Sequence, residues 1–187
     1  MGDQFVPTKM MKNILVVLLF ASPVLAQDQA VTARAAAGCG PNEVKFDVKT
    51  DKKQHPIGQP ESGKALVYVF ADENADPSGI RIGGLTTRIG LDGAWVGANK
   101  GKSYFFFSVD PGGHRLCTNW QLGVSGRPQL SSTASLTVEA GKIYCFRTSH
   151  YFIEGQRQPG MKLEPLDATE AQLLIAFCSL STFHEKK

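Results

Sequence analysis

The chain has 187 residues, of which 42% are apolar and 20% charged, and its formal net charge is +3. That is enough chain for one domain with a real core, and these ordinary globular proportions exclude wholesale disorder. Lys and Arg are scattered rather than gathered in a basic stripe, which excludes a nucleic-acid partner.

Residues 1–26 read as a secretory signal peptide. Lys9 and Lys12 supply a positive start, and Ile14 to Phe20 is an unbroken apolar run. Pro23 breaks the helix, and Val24-Leu25-Ala26 leaves small residues at the −3 and −1 positions of a cleavage site. The run is shorter than the roughly 20 apolar residues a bilayer-spanning helix needs, so the cleaved chain is not expected to be an integral membrane protein. A retained N-terminal anchor is the competing reading, and Met10 or Met11 competes with Met1 as the start. Residues 27–41, small and polar, read as a disordered leader. Cys39 follows Ala36-Ala37-Gly38, as at a lipid-attachment site, but it lies too far beyond the apolar run to be one.

Residues 42–182 are expected to form a single domain. Asn42 to Thr50 alternates Val44, Phe46 and Val48 with charged neighbours, the period of a half-buried strand. Asp51 to Gly63 loses that rhythm and reads as a crossing loop. Lys64 to Ala71 is nearly all apolar, as in a central strand covered on both faces. After a second loop, Asp72 to Gly84, residues 87–120 read as a β-meander. It is punctuated by Asp92-Gly93, a tight hairpin signal, by Gly97 to Gly101, and by Asp110-Pro111-Gly112-Gly113. Tyr104 and Phe106 alternate with Phe105, Phe107 and Val109, so this strand too is expected to be covered on both faces. Gln121 to Ser132 reads as a loop, Ala134 to Glu139 and Lys142 to Thr148 as paired strands, Ser149 to Gly160 as irregular, and Met161 to Leu166 as an edge strand. Asp167, with Glu170 three residues on, looks like a helix start for a short helix to about Phe177. Residues 183–187 read as a frayed tail. The whole predicts an all-β fold, an antiparallel β-sandwich with a short C-terminal helix.

Cys39, Cys117, Cys145 and Cys178 all lie in the exported part. An even count in an oxidising compartment implies two disulfides, with three possible connectivities. Cys39–Cys117 with Cys145–Cys178 is favoured, because each bond ties a terminal segment to the sheet. Cys117–Cys145 with Cys39–Cys178 stands next, and it needs restrictive cross-strand geometry. Metal ligation lacks any CxxC or CxxH pair.

Leu91-Asp92-Gly93-Ala94-Trp95-Val96-Gly97, followed by Val109-Asp110-Pro111-Gly112-Gly113-His114, resembles the core of small bacterial envelope β-sandwiches. Ala65 to Phe70 and Glu139 to Tyr144 add flanking strands. Together they resemble the exported bacterial family catalogued as domain of unknown function 2846, itself similar to PEGA-type modules; the immunoglobulin-like sandwich is the architecture implied. The resemblance covers roughly residues 63–177, rests on turn and strand signatures, and brings no catalytic residues. PEGA modules carry a Pro-Glu-Gly-Ala turn where this chain has Pro111-Gly112-Gly113.

No elbow, zinc-helix or phosphate-loop motif appears, and His55, His114, His150 and His184 lack ligand spacing. No catalytic residue, metal or cofactor is therefore expected. Trp95, Trp120, Tyr151 and Phe152 lie in or beside loops. If they share one exposed face, they could stack on a sugar or clamp a peptide; otherwise they close the sandwich ends. The leading expectation is a non-enzymatic exported module of the periplasm or cell envelope, binding a protein or envelope polymer. The alternatives are a carbohydrate- or peptidoglycan-binding sandwich and, last, a hydrolase that brings His114 or His150 to a carboxylate and a nucleophile.

Overall fold

The computed structural model describes residues 39–71, 85–121, 131–152 and 159–187. The expected signal peptide, residues 27–38 of the leader and the Asp72 to Gly84 loop lie outside them. Among the described residues the chain forms ten strands and one helix. In order these are β1 Phe46–Asp51, β2 Ala65–Ala71, β3 Thr86–Leu91, β4 Ala94–Lys100, β5 Ser103–Val109, β6 Gly112–Gln121, β7 Ser131–Val138, β8 Ile143–Phe152, β9 Pro159–Pro165, α1 Ala168–Phe177 and β10 Ser179–Glu185. Two sheets face each other, a six-stranded one ordered β1-β10-β5-β2-β8-β9 and a four-stranded one ordered β4-β3-β6-β7.

All seven residues of β2 are buried, and its alternation explains why. Val67 and Val69 point between the sheets, where they meet Ile89, Phe105, Leu116, Val138 and Phe146. Leu66, Tyr68 and Phe70 point the other way, against Tyr104 of β5 and against Ala171, Leu174 and Cys178 at the helix. A strand in such a three-layer stack can be apolar at every position. At the β3–β4 turn Asp92 and Gly93 both take positive φ, 52° and 87°, which is the corner that Asp-Gly favours in a two-residue hairpin. The Asp167 side chain accepts a 2.9 Å hydrogen bond from the Glu170 N–H, capping α1 as its sequence predicts. The Glu170 carboxylate does not close the box. It pairs with Arg147 of β8 instead.

Five expectations need correction. The sandwich is not purely antiparallel: β2 runs parallel to β8, and β10 parallel to β5. Parallel neighbours need crossovers, and α1 is one of them, returning the chain from edge strand β9 to β10 over the outer face of the six-stranded sheet. Residues 183–187 are therefore not a frayed tail. Phe183 lies in β10, paired with Val48 of β1, and its ring packs edge-on against Phe105 at 5.0 Å. Within the stretches expected to be irregular, β7 already begins at Ser131 and β8 continues to Phe152 opposite Pro159, and residues 122–130 and 153–158 of those stretches lie outside the described residues. Finally, Cys39 and Cys117 are bonded, with Cα atoms 5.2 Å apart, but Cys145 and Cys178 carry no disulfide. Both side with the apolar layer beneath α1, where thiols pack as small hydrophobes. The first strand also starts late, at Phe46; residues 39–45 form a strap laid across the four-stranded sheet.

Candidate functional site

Three of the four aromatic candidates, Trp95, Trp120 and Tyr151, do not come together. Trp120 of β6 faces the interior, 6% exposed, against Met161 and Leu85. Its ring centre lies 4.2 Å from that of His150. Trp95 of β4 sits on the opposite face of the four-stranded sheet, where its indole N–H donates to the Pro41 carbonyl at 2.8 Å. The Arg88 guanidinium lies 4.3 Å above that ring. Tyr151, 46% exposed, leans over Gly160, its cross-strand partner on β9. Phe152 is the last residue of β8. Adjacent strand residues point to opposite faces, so Tyr151 leaves the side on which His150 and Trp120 meet. Trp95, Trp120 and Tyr151 therefore form no single platform.

His114 does find a carboxylate. Its Nδ1 lies 2.7 Å from Asp92 Oδ2, and the other Asp92 oxygen accepts from the Arg115 N–H at 2.8 Å. Its Nε2, however, lies 2.8 Å from the Asp110 carbonyl. A carbonyl oxygen can only accept, so that nitrogen must carry a proton and cannot serve as a base toward a nucleophile. The pair is a brace between two turns rather than half of a triad. Burial works against the charge on this ring, but the Asp92 carboxylate and the Asp110 carbonyl outweigh it and raise the pKa. Burial beside the Trp120 ring pushes the His150 pKa down to about 4. Burial likewise drives the Cys145 thiol up to about 11, which keeps it neutral and unreactive at neutral pH. Among the described residues no three His, Cys, Asp or Glu side chains are grouped to hold a metal ion.

What the structure does offer is apolar surface around α1. A cleft of about 290 Å³ opens between the helix, the 52–63 loop and the outer face of the six-stranded sheet. Ile57, Ile143, Cys145, Leu166, Ala171 and Ile175 line it. The loop forming one wall is pinned through its backbone: the Gly58 N–H donates to the Tyr68 hydroxyl at 2.6 Å, and the Tyr104 hydroxyl donates to the Pro56 carbonyl at 3.2 Å. Ile57 and Ile143 on its rim are 68% and 47% exposed, and on α1 Leu173 and Phe177 are 57% and 67% exposed. Leu173 and Phe177 are four residues apart and share one helix face. Sequence reasoning passed over these four residues. The available signal was a helix whose apolar residues run round more than one side, more than one buried stripe requires.

Comparison with protein-family models, with curated proteins and with solved structures gives no match to this chain. Among the described residues no helix is long and apolar enough to cross a membrane.

Proposed function

We propose that the chain is a non-enzymatic exported module of the cell envelope that binds a protein or surface polymer through the apolar face at α1 and its cleft. One observation carries this reading. Of the five large exposed apolar side chains among the described residues, four lie on α1 or on the rim of the cleft beside it. The cleft lies on the flank of α1 that carries Ala168, Gln172 and Ile175, and Leu173 and Phe177 stand on the other flank. Exposed apolar surface therefore runs along both sides of the helix, which soluble surfaces seldom keep without a partner. The Cys39–Cys117 bond supports an oxidising compartment, and the likeness to the exported family of unknown function supports the envelope. A carbohydrate-binding reading would want Trp95 and Trp120 on one face, and they lie on opposite faces.

The test is photo-crosslinking in native cells from Phe177 or Ile143, with Thr137 on the exposed side of β7 as control. A product specific to the first two positions, lost in the Leu173→Asp, Phe177→Asp double variant while its melting temperature holds, is expected. Identical products from Thr137 would defeat the proposal.

A further inference from the structure

The strap, residues 39–45, fills a groove on the outer face of the four-stranded sheet, and the groove's polar groups read main chain rather than side chains. Trp95 donates to the Pro41 carbonyl. Arg88 Nη1 donates to the carbonyls of Asn42 at 3.3 Å and Val44 at 2.5 Å, while its Nε donates to Asn119 Oδ1 at 2.8 Å. Just beyond the strap, Gln121 grips Phe46 twice, accepting from its N–H at 2.5 Å and donating to its carbonyl at 2.9 Å. The floor is cut to admit a backbone: a Cβ on Gly90 would sit 2.1 Å from the Cys39 carbonyl oxygen. The strap is slim where it passes Trp95, since a Cβ on Gly40 would come within 2.7 Å of that ring. The strap side chains that take part are Cys39, bonded to Cys117, and Val44, packed into the apolar cluster of Phe46, Val48 and Ala98 beside Trp95.

Arg88 makes an empty groove unfavourable. It is 1% exposed, and two of its three hydrogen-bond acceptors among the described residues are strap carbonyls. A buried guanidinium stripped of acceptors is heavily penalised, so a departing strap has to be replaced by water or by another main chain. The same segment of a second copy offers the identical set of carbonyls along the identical path. Only effective concentration favours the chain's own strap, and the disulfide turns that preference into a lock.

We propose that the outer face of the four-stranded sheet is an extended-peptide groove locked by the Cys39–Cys117 disulfide, and that opening this bond lets the 39–46 segment of a second copy take the place of the resident one. A dithiol opens the lock by passing two electrons and two protons to the cystine. It leaves as its own disulfide, and the protein keeps two thiols. Closure in trans reverses this, with two electrons passing to an oxidised disulfide.

The test mixes ¹⁵N-labelled and unlabelled full-length protein, opens the bond with a dithiol, and closes it in oxidised glutathione over a range of protein concentrations. Cross-linked peptides are then read by mass spectrometry under non-reducing conditions. The expected result is Cys39–Cys117 pairs of mixed isotope whose share rises with concentration, at least tenfold rarer when both copies carry Gly90→Ala. Mixed-isotope bonds spread equally over Cys145 and Cys178 would show exchange through the unfolded chain and overturn the proposal. Single-isotope pairs at every concentration would overturn it as well. A second measurement needs no reduction: unreduced Cys39→Ser and Cys117→Ser variants, each melting cooperatively, are mixed in the same buffer. A Cys39–Cys117 bond between them supports the exchange, and capture of both thiols by glutathione alone contradicts it.

Discussion

His114 and His150 are driven in opposite directions by what they touch. Burial disfavours the charged form of His114, but the Asp92 carboxylate and the Asp110 carbonyl favour it more, so its folded pKa stands above the ordinary 6.5. Lys64 lies 3.8 Å from the Asp110 carboxylate. A raised folded pKa means that the folded chain binds more protons than the unfolded one. The stability His114 contributes is complete below pH 6.5 and is lost as pH rises through the raised value. For His150 the sign reverses. Its folded pKa of about 4 lies below 6.5, so stability falls as pH drops from 6.5 toward 4, because the unfolded chain takes up the proton first. Urea unfolding at a series of pH values should therefore show greatest stability near pH 6.5. His114→Gln should flatten the alkaline limb, and His150→Leu should flatten the acid limb above pH 4.5. Glu164, whose carboxyl is held below its usual range by Lys162 and Arg147, adds its loss only below that point.

The elements divide into those that hold the sandwich and those that present a surface. Phe70 of β2 is fully buried, with its ring 5.5 Å from that of Tyr104, so Phe70→Ala should cost about 3–5 kcal/mol through lost transfer and a cavity. Phe177 on α1 is 67% exposed, and Phe177→Ala should move stability by no more than about 0.5 kcal/mol while weakening partner capture. Denaturant melts of the two variants side by side check this; equal losses would show that α1 docks by a face other than the one described. In the strap, Gly90→Ala should cost on the order of 1–3 kcal/mol, the range of overpacking, because the Cys39 carbonyl leaves no room for a methyl group. β2 and α1 were legible in sequence. A run of seven apolar residues admits one placement in a layered fold, and Asp167 marks a helix start by local chemistry alone. β10 was not legible. Ser179 and Ser181 are buried, with Ser181 donating to Ser103 at 2.7 Å, and such small polar residues carry no apolar period.

At the scale of the whole molecule, one disulfide ties the strap to the middle of β6 across 78 residues of chain. Its removal in Cys117→Ser should cost about 2–5 kcal/mol, read as a lower denaturation midpoint. Thiol counting checks the pairing directly: denatured but unreduced protein should take up two alkylating groups, at Cys145 and Cys178, and reduced protein four. Uptake of none before reduction would restore the second bridge.

The parts readable from residues alone are those settled by neighbours in the chain. The Asp92-Gly93 hairpin, the alternation of β5 and the two-faced burial of β2 all follow from backbone sterics and from the period of side chains along a strand. The even cysteine count pointed to two bonds, yet pairing depends on which strands the fold sets side by side. β8 and α1 place Cys145 and Cys178 in a shared apolar layer without joining them. Likewise, aromatics near turns cannot announce which side of a sheet they face. One tertiary arrangement sent Trp120 inward and Trp95 beneath the strap, and left Leu173 and Phe177 to water. Burial is decided by what packs across from a residue, and those partners lie far away along the chain.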